Sequence, residues 1–566
     1  MTDFKEKVGT ALGQTVEGLE ASEITQMIEI PPNSEMGDFA FPCFRLAKVM
    51  RKAPNLIAEE IAGKLADLEG FERVENKGGY VNFFLDKKAV VKATLEDVIE
   101  KGQAYGGSDK GAGRKVIVEY SSPNIAKPFH IGHIRSTVIG NSIYKIYKAL
   151  GYDTIRINHL GDYGTQFGKM IVAYRKWGKK EDVEANPIKT LLGLYVKFHE
   201  EADNDKSLDD EARATFKNLE EGAEEEQALW QWFRDESLKE FGRVYDMLGI
   251  SFDSYKGESF YSDKMDAITD LMAEKGILKE SEGAEIVDLS EFDMSPALIR
   301  KKDGSTLYIT RDLAAIRYRK ETYDFHKCIY VVASQQNLHF QQLFKIVDLM
   351  GLNWAEGAVH IPFGLVSMDD GVLSTRHGKV VFLEDVLNRA VEKTAEIIKE
   401  KNVAQDNIDE ISKQVGIGAV IFQELSNNRI KDYTFSWDKV LNFEGETGPY
   451  VQYTHARACS VLRNADVKVE KDVDYSFITG ESAYELTKLI SRFPQVVELA
   501  ADKYEPSIVT RHITDIAQAF NRFYHDEHII VDNKEEQKAK LLLVEAARQT
   551  LLNGLDLLGM QAPEKM

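Results

Sequence analysis

Cysteine is scarce in this chain. Cys43, Cys328 and Cys459 are the only three in 566 residues, and they lie far apart. That spacing excludes a disulfide-stapled secreted fold and a cysteine-rich metal site, and it points to reduced thiols in the cytoplasm. No protein-ligated metal is expected. Long apolar runs are absent as well. No stretch of about 18 apolar residues occurs, so no membrane partner is expected. The first twenty residues are not a secretory leader. Phe4, Val8, Leu12, Val16 and Leu19 fall near helical spacing, which predicts an amphipathic helix. Positive charge is in deficit: 71 Lys and Arg face 92 Asp and Glu, a formal net charge of −21. A surface this acidic is not coated by nucleic acid, so any RNA contact is confined to part of it.

What remains is ordinary for a globular protein, 43% hydrophobic and 29% charged. The length calls for several domains. No short repeat or low-complexity tract is present. Residues 1–110 carry helical patterns and one strand-like run, Gly79 to Phe84. The glycine-rich stretch 101–115 is the clearest linker candidate. Val116-Ile117-Val118 then predicts a buried strand. A helix follows with Ile134, Val138, Ile139, Ile143, Ile146, Tyr147 and Leu150 on one face, and Gly151 stands where its C-terminal cap belongs. Residues 154–157 predict the next strand. Strand, helix and strand in so short a span predict a parallel, Rossmann-like α/β domain over 111–400. An acidic helical insertion is expected at about 175–250, a strand at 328–333 and a helix at 383–399. From 401 to 566 helical patterns dominate, which predicts an all-α domain after an α+β N-terminal one.

The stretch 118–140 carries the chemistry. It sets Lys127, His130, Gly132 and His133 between a buried strand and a helix start. A strand end leading into a helix N-terminus is where such folds bind phosphates. Gly132 lets a nucleotide approach the backbone, the two histidines donate to phosphate oxygens, and Lys127 brings mobile positive charge. A lone histidine there is ordinarily a cap or packing residue. The full tetrapeptide His130-Ile131-Gly132-His133 is far more specific.

That tetrapeptide resembles the HIGH signature of class I aminoacyl-tRNA synthetases. Its flanks, SSPNIAKPFHIGHIRST and LGDYGTQFG, are similar to those of arginyl-tRNA synthetases. So are GDFAF, TRDLAA, SQQNLH, GPYVQYTHAR and the terminal APEKM, which spread the likeness over nearly the whole chain. The resemblance implies two steps. The arginine carboxylate attacks the α-phosphate of ATP, with Mg2+ as the nucleotide's counter-ion, and the 2′-hydroxyl of the terminal tRNA adenosine then takes the arginyl group. It also implies a cytoplasmic enzyme, a monomer, with tRNA(Arg), L-arginine and ATP as partners.

The family's second signature, KMSKS, corresponds to Val372 through Gly378. Val372 replaces its first lysine, the second is absent, and His377 stands where many arginyl enzymes have lysine. Ser374, Thr375 and Arg376 are expected on ATP. Lys127 is expected to supply the missing charge. For arginine, the resemblance places Glu119 and Asp312 on the guanidinium, Tyr308 on the alkyl chain or guanidinium, and Ser122, Asn124 and Gln336 on the amino and carboxylate groups. Paired carboxylates reward a planar fork over an ammonium. A hairpin from Leu298 to Tyr308, turning at Asp303-Gly304, is expected before Thr310 as helix cap, with Asp312 in the first turn. Tyr453 and Tyr524 are expected to contact anticodon bases, and Met566 to lie near the anticodon. Phe520, Phe523 and Tyr450 are aromatics that either stack bases or build core. Residues 1–110 resemble the domain that contacts the tRNA elbow, and 401–566 the anticodon-binding domain. Two other readings stay open: a class I synthetase for lysine or cysteine, and a catalytically silent RNA-binding relative.

Overall fold

The computed structural model describes residues 2–16, 21–31, 33–302, 307–368, 381–400, 407–443 and 445–566. Near the N-terminus the expected amphipathic helix spans Thr2–Thr15 and buries Val8 and Leu12. It belongs to a layer of helices on an antiparallel sheet whose central strand, Tyr80–Leu85, pairs with Phe39–Pro42 and Phe71–Lys77. Phe39, Phe41 and Phe83 are buried there.

The second sheet positions the site. Its four strands are all parallel and run Ala358–Phe363, Lys327–Ala333, Lys115–Glu119, Asp153–Ile157 across the sheet. Ile117, Val118, Ile329 and Val331 are buried, as strands covered on both faces require. Chain order reverses at Lys115–Glu119. One crossover from it leads to the strand on one side, and the chain later returns on the other. Such a switch point opens a crevice beyond the carboxyl ends of the strands.

The helix Gly132–Ala149 forms the first crossover and ends at Gly151, whose φ of +78° needs no side chain to be excused. It is buried all round rather than on one face, with Arg135, Ser136, Thr137 and Ser142 as hidden as its aliphatic residues. The reason is the C-terminal helical region, which packs directly on it. Ser142 Oγ donates to the Leu557 carbonyl at 2.9 Å, and Lys145 pairs with Asp556 at 2.7 Å. That region comprises Ile408–Ser426, Gly448–Asn464, Glu481–Lys503, Ser507–Asp526 and Lys534–Leu557.

Two local expectations change. The glycine-rich stretch 101–115 is no loose linker. Buried Tyr105 donates to the Ile490 carbonyl at 2.8 Å, and Asn553 donates to the carbonyls of Gly102 and Tyr105, both at 2.9 Å. Its glycines serve tight turns against distant helices, a pairing that local composition does not reveal. The hairpin to Tyr308 also fails. Ala297–Arg300 pairs instead with Ala284–Val287, and Tyr308 already begins the helix Tyr308–Tyr323. Asp303 and Gly304 lie outside the described residues. Leu307, not Thr310, is the cap, and Asp312 falls in the second turn. Thr310 is buried and donates to the Ile299 carbonyl at 2.8 Å.

Candidate active site

Glu119 closes its strand, and the chain then makes an unusual loop. Ser121, Ser122 and Ala126 all have positive φ, of 71°, 46° and 58°. Non-glycine residues adopt that conformation only where surroundings over-determine it. Here they do. The Ser121 amide donates to Ser136 Oγ at 2.9 Å, and its hydroxyl bonds Thr137 and Tyr245 at 2.9 and 2.8 Å. The Ala126 amide donates to Ser237 Oγ at 2.9 Å. Tyr245 and Ser237 lie on Glu224–Leu248, the last helix of the acidic insertion, which thus buttresses the loop. The buried Ser122 hydroxyl has no hydrogen-bond partner, and Asn124 is exposed.

The loop delivers His130 and His133 to the start of the crossover helix, with ring centroids 4.0 Å apart. The Gly132 amide donates to His130 Nδ1 at 3.0 Å. That nitrogen accepts, so the neutral ring carries its proton on Nε2. A Cβ on Gly132 would come within 2.8 Å of the His130 ring. The glycine's first role is therefore to admit that ring, which the sequence reading assigned to a nucleotide. Burial lowers His130, and burial with the adjacent His130 pushes His133 down to about 3. Both rings are neutral donors near pH 7. Lys127 is half-buried, and burial pulls its ammonium below the ordinary value.

Both acids expected on the guanidinium already have partners. Glu119 pairs with the buried Arg319 at 2.5 Å. Asp312 bonds His339 Nε2 at 2.6 Å. Burial pushes Asp312 up, but His339, His159 and Arg319 hold it below the usual carboxylate value. Tyr308 is 61% exposed, and the Arg311 guanidinium lies 5.3 Å from its ring. Arg311 also pairs with Glu258 at 2.8 Å; burial raises Glu258 to about 7 against that attraction. Gln336 is exposed in the 3-10 turn that follows strand Lys327–Ala333. Arg319, His159, His339 and Glu258 were missed by sequence reasoning. His339 ends the quoted SQQNLH string and His159 immediately precedes LGDYG, so motif adjacency was the one available signal.

Ser374, Thr375, Arg376 and His377 lie outside the described residues. The flanks on each side of this segment are placed. Val366–Met368 pairs in parallel with Tyr433–Phe435, and the Ile131 amide donates to the Val381 carbonyl at 3.1 Å.

In the helical region Phe520 and Phe523 are fully buried core, whereas Tyr453 and Tyr524 are 40% and 44% exposed. The Arg457 guanidinium lies 4.9 Å from the first ring and 5.2 Å from the second, and Asn521 accepts from it. Tyr450 is tied inward by a 2.9 Å bond from Asn521. Met566 packs beside Ile398, Ile411 and Val415.

This chain has relatives among known proteins along its whole length. A model of the class I tRNA synthetase (R) catalytic domain matches residues 94–437. A DALR anticodon binding domain matches 451–566, and an arginyl tRNA synthetase N terminal domain matches 2–85. The arginine–tRNA ligase of Clostridioides difficile is 61% identical over 566 residues, with both chains covered in full. The chain belongs to the arginine–tRNA ligase family. Another member, from Halothermothrix orenii, is 58% identical over 566 residues, again with full coverage of both. Solved arginyl-tRNA synthetases share the fold. That from Plasmodium falciparum has a TM-score of 0.79 at 25% identity, covering 100% of this chain and 99% of its own. That from Thermus thermophilus has a TM-score of 0.81 at 23% identity, with 100% of both covered. Membership in the arginine–tRNA ligase family removes the lysine and cysteine readings, and ligases this similar speak against a silent relative.

Proposed function

We propose that the crevice at the carboxyl end of the parallel sheet joins arginine to tRNA(Arg) in two steps. The overall reaction is ATP-dependent ligation of arginine to tRNA(Arg), yielding arginyl-tRNA, AMP and diphosphate. In the first step an arginine carboxylate oxygen forms a bond to the α-phosphorus and diphosphate leaves. In the second the 2′-hydroxyl of the terminal adenosine attacks the activated carbonyl and AMP leaves. His130, His133 and the Gly132 backbone receive ATP, supported by Ser374, Thr375 and Arg376. Mg2+ arrives as the nucleotide's counter-ion. Lys127 offsets charge on the phosphates. Glu119 and Asp312 read the guanidinium; Tyr308, Ser122, Asn124 and Gln336 hold the rest of the amino acid.

The observation that carries this reading is the neutral His130–His133 pair at a helix start, set at the switch point of the sheet. No covalent enzyme intermediate is needed. Burial pushes the Cys43 and Cys328 thiols up to about 12 and 11 and also raises Cys459, which leaves poor nucleophiles. Residues 111–400 form the catalytic part and 1–110 contact the tRNA elbow. Residues 401–566 take the anticodon, with Tyr453, Tyr524 and Met566 as contacts and Arg457 stacked between the tyrosines. One chain holds every assigned residue, which supports a monomer. Three buried free cysteines suit the reducing cytoplasm. Among the described residues, no helix is long and apolar enough to cross a membrane.

The test is ATP–pyrophosphate exchange with each amino acid, with and without tRNA. Exchange with arginine plus tRNA is expected. Exchange with another amino acid, or none despite tight tRNA binding, refutes the proposal.

A further inference from the structure

The two acids assigned to arginine are joined beneath the crevice by a chain of side chains. Arg319 pairs through Nη1 with Glu119, and its Nη2 lies 3.3 Å from His159 Nδ1. His159 Nε2 lies 3.9 Å from Asp312 Oδ1, while His339 Nε2 lies 2.6 Å from Oδ2. A guanidinium has only donors, so His159 Nδ1 must accept and the ring proton sits on Nε2, facing Asp312. At 3.9 Å that N–H falls short of a hydrogen bond, and Nε2 is buried without a partner. Tyr261 packs against the ring at 5.6 Å between centroids. The imidazole is thus held from two sides, with its unpaired donor aimed at one carboxylate oxygen.

We propose that His159 is a positioning residue for arginine selection. This rests on the reading of Glu119 and Asp312 as the guanidinium acids. His159 links the Glu119–Arg319 pair to Asp312. A shift of Asp312 by about 1 Å closes the open contact to ordinary hydrogen-bond length. A carboxylate offers about four lone-pair directions. With His159 on one oxygen and His339 on the other, both carboxylate oxygens are anchored and the plane of the group is fixed, which a planar guanidinium fork rewards. An ammonium is a point charge and gains nothing from that alignment. The linkage acts on the amino acid and not on ATP, because neither Asp312 nor Arg319 belongs to the phosphate-facing set.

The experiment compares wild type with His159→Ala and His159→Gln in pyrophosphate exchange at saturating tRNA(Arg), varying arginine and ATP separately. Alanine is expected to raise the arginine KM by about tenfold, the scale of one lost hydrogen bond to a charged group, and to move the ATP KM by less than about twofold. Glutamine keeps an N–H near the Nε2 position and is expected to restore most of the loss. An unchanged arginine KM, equal rises in both KM values, or no rescue by glutamine overturns the inference. If the alanine variant is insoluble, His159→Asn replaces it: its amide is too short to reach Asp312, so the same selective rise is expected and an unchanged arginine KM overturns the idea. A wild type without arginine-dependent exchange instead overturns the underlying functional reading.

Discussion

Single atoms set the chemistry at the helix start. Because the Gly132 amide holds His130 Nδ1, the ring can present only Nε2–H to a phosphate. Gly132→Ala would set a Cβ within 2.8 Å of that ring and turn it aside. The ring is movable, so the fold survives, but a misplacement near 1 Å slows exchange by about 10- to 100-fold. A circular dichroism spectrum like wild type with an exchange rate within twofold of it would refute this. At Lys127 the missing loop lysine sharpens the expectation. Lys127→Ala should lower the exchange rate more than Arg376→Ala; equal or reversed losses refute the assignment. Asp312→Ala should raise the arginine KM far more than the ATP KM, since a fork-shaped site loses its partner while the phosphate groups stay in place. Matching rises would mark Asp312 as structural.

Elements are registered by buried charge. Arg135, two residues beyond His133, is wholly buried and pairs with buried Glu424 at 2.5 Å on helix Ile408–Ser426. Tyr433 donates to the second Glu424 oxygen at 2.6 Å, and Arg135 donates to the Lys431 carbonyl at 2.9 Å. Tyr433 begins the short strand that pairs with Val366–Met368. One ion pair therefore locks the HIGH helix, the helical region and the ribbon preceding the second signature. Removing one partner strands a buried charge, so Glu424→Ala is expected to cost about 3–5 kcal/mol, read as a lower urea midpoint. A loss below about 1 kcal/mol would mean that the pair is dispensable. Periodicity made the strands and helices themselves legible. It misjudged the start of Tyr308–Tyr323, because an Asp-Gly turn signal between residues of mixed polarity resembles a hairpin whether or not a partner strand exists. It also read 101–115 as a linker, because glycine marks turns equally well when they are buried against distant helices.

Across the whole molecule, buried neutral histidines tie stability to acid. His133 and His512 are pushed down to about 3 and 4, chiefly by burial, from an ordinary value of 6.5. Folding disfavours their protonation, so their contribution is fully present above pH 6.5. It is lost as pH falls towards 4 and 3, where the unfolded chain has already taken up protons. The urea midpoint should decline from pH 6.5 to 4, less steeply in His512→Gln. An identical slope in that variant would remove His512 from the account. Of the whole design, sequence alone determined the parallel α/β unit, the helical C-terminal region and the order of the signatures, because these rest on short-range periodicity and contiguous residues. The candidates His130 and His133 were visible in the same way, whereas Glu119 and Asp312 were singled out only by the family resemblance. Tertiary structure alone decided that Glu119 faces Arg319, that His159 stands between Arg319 and Asp312, and that Arg135 meets Glu424 across 289 residues. A buried charge takes whichever partner the fold brings within reach, and no local pattern in the chain encodes that meeting.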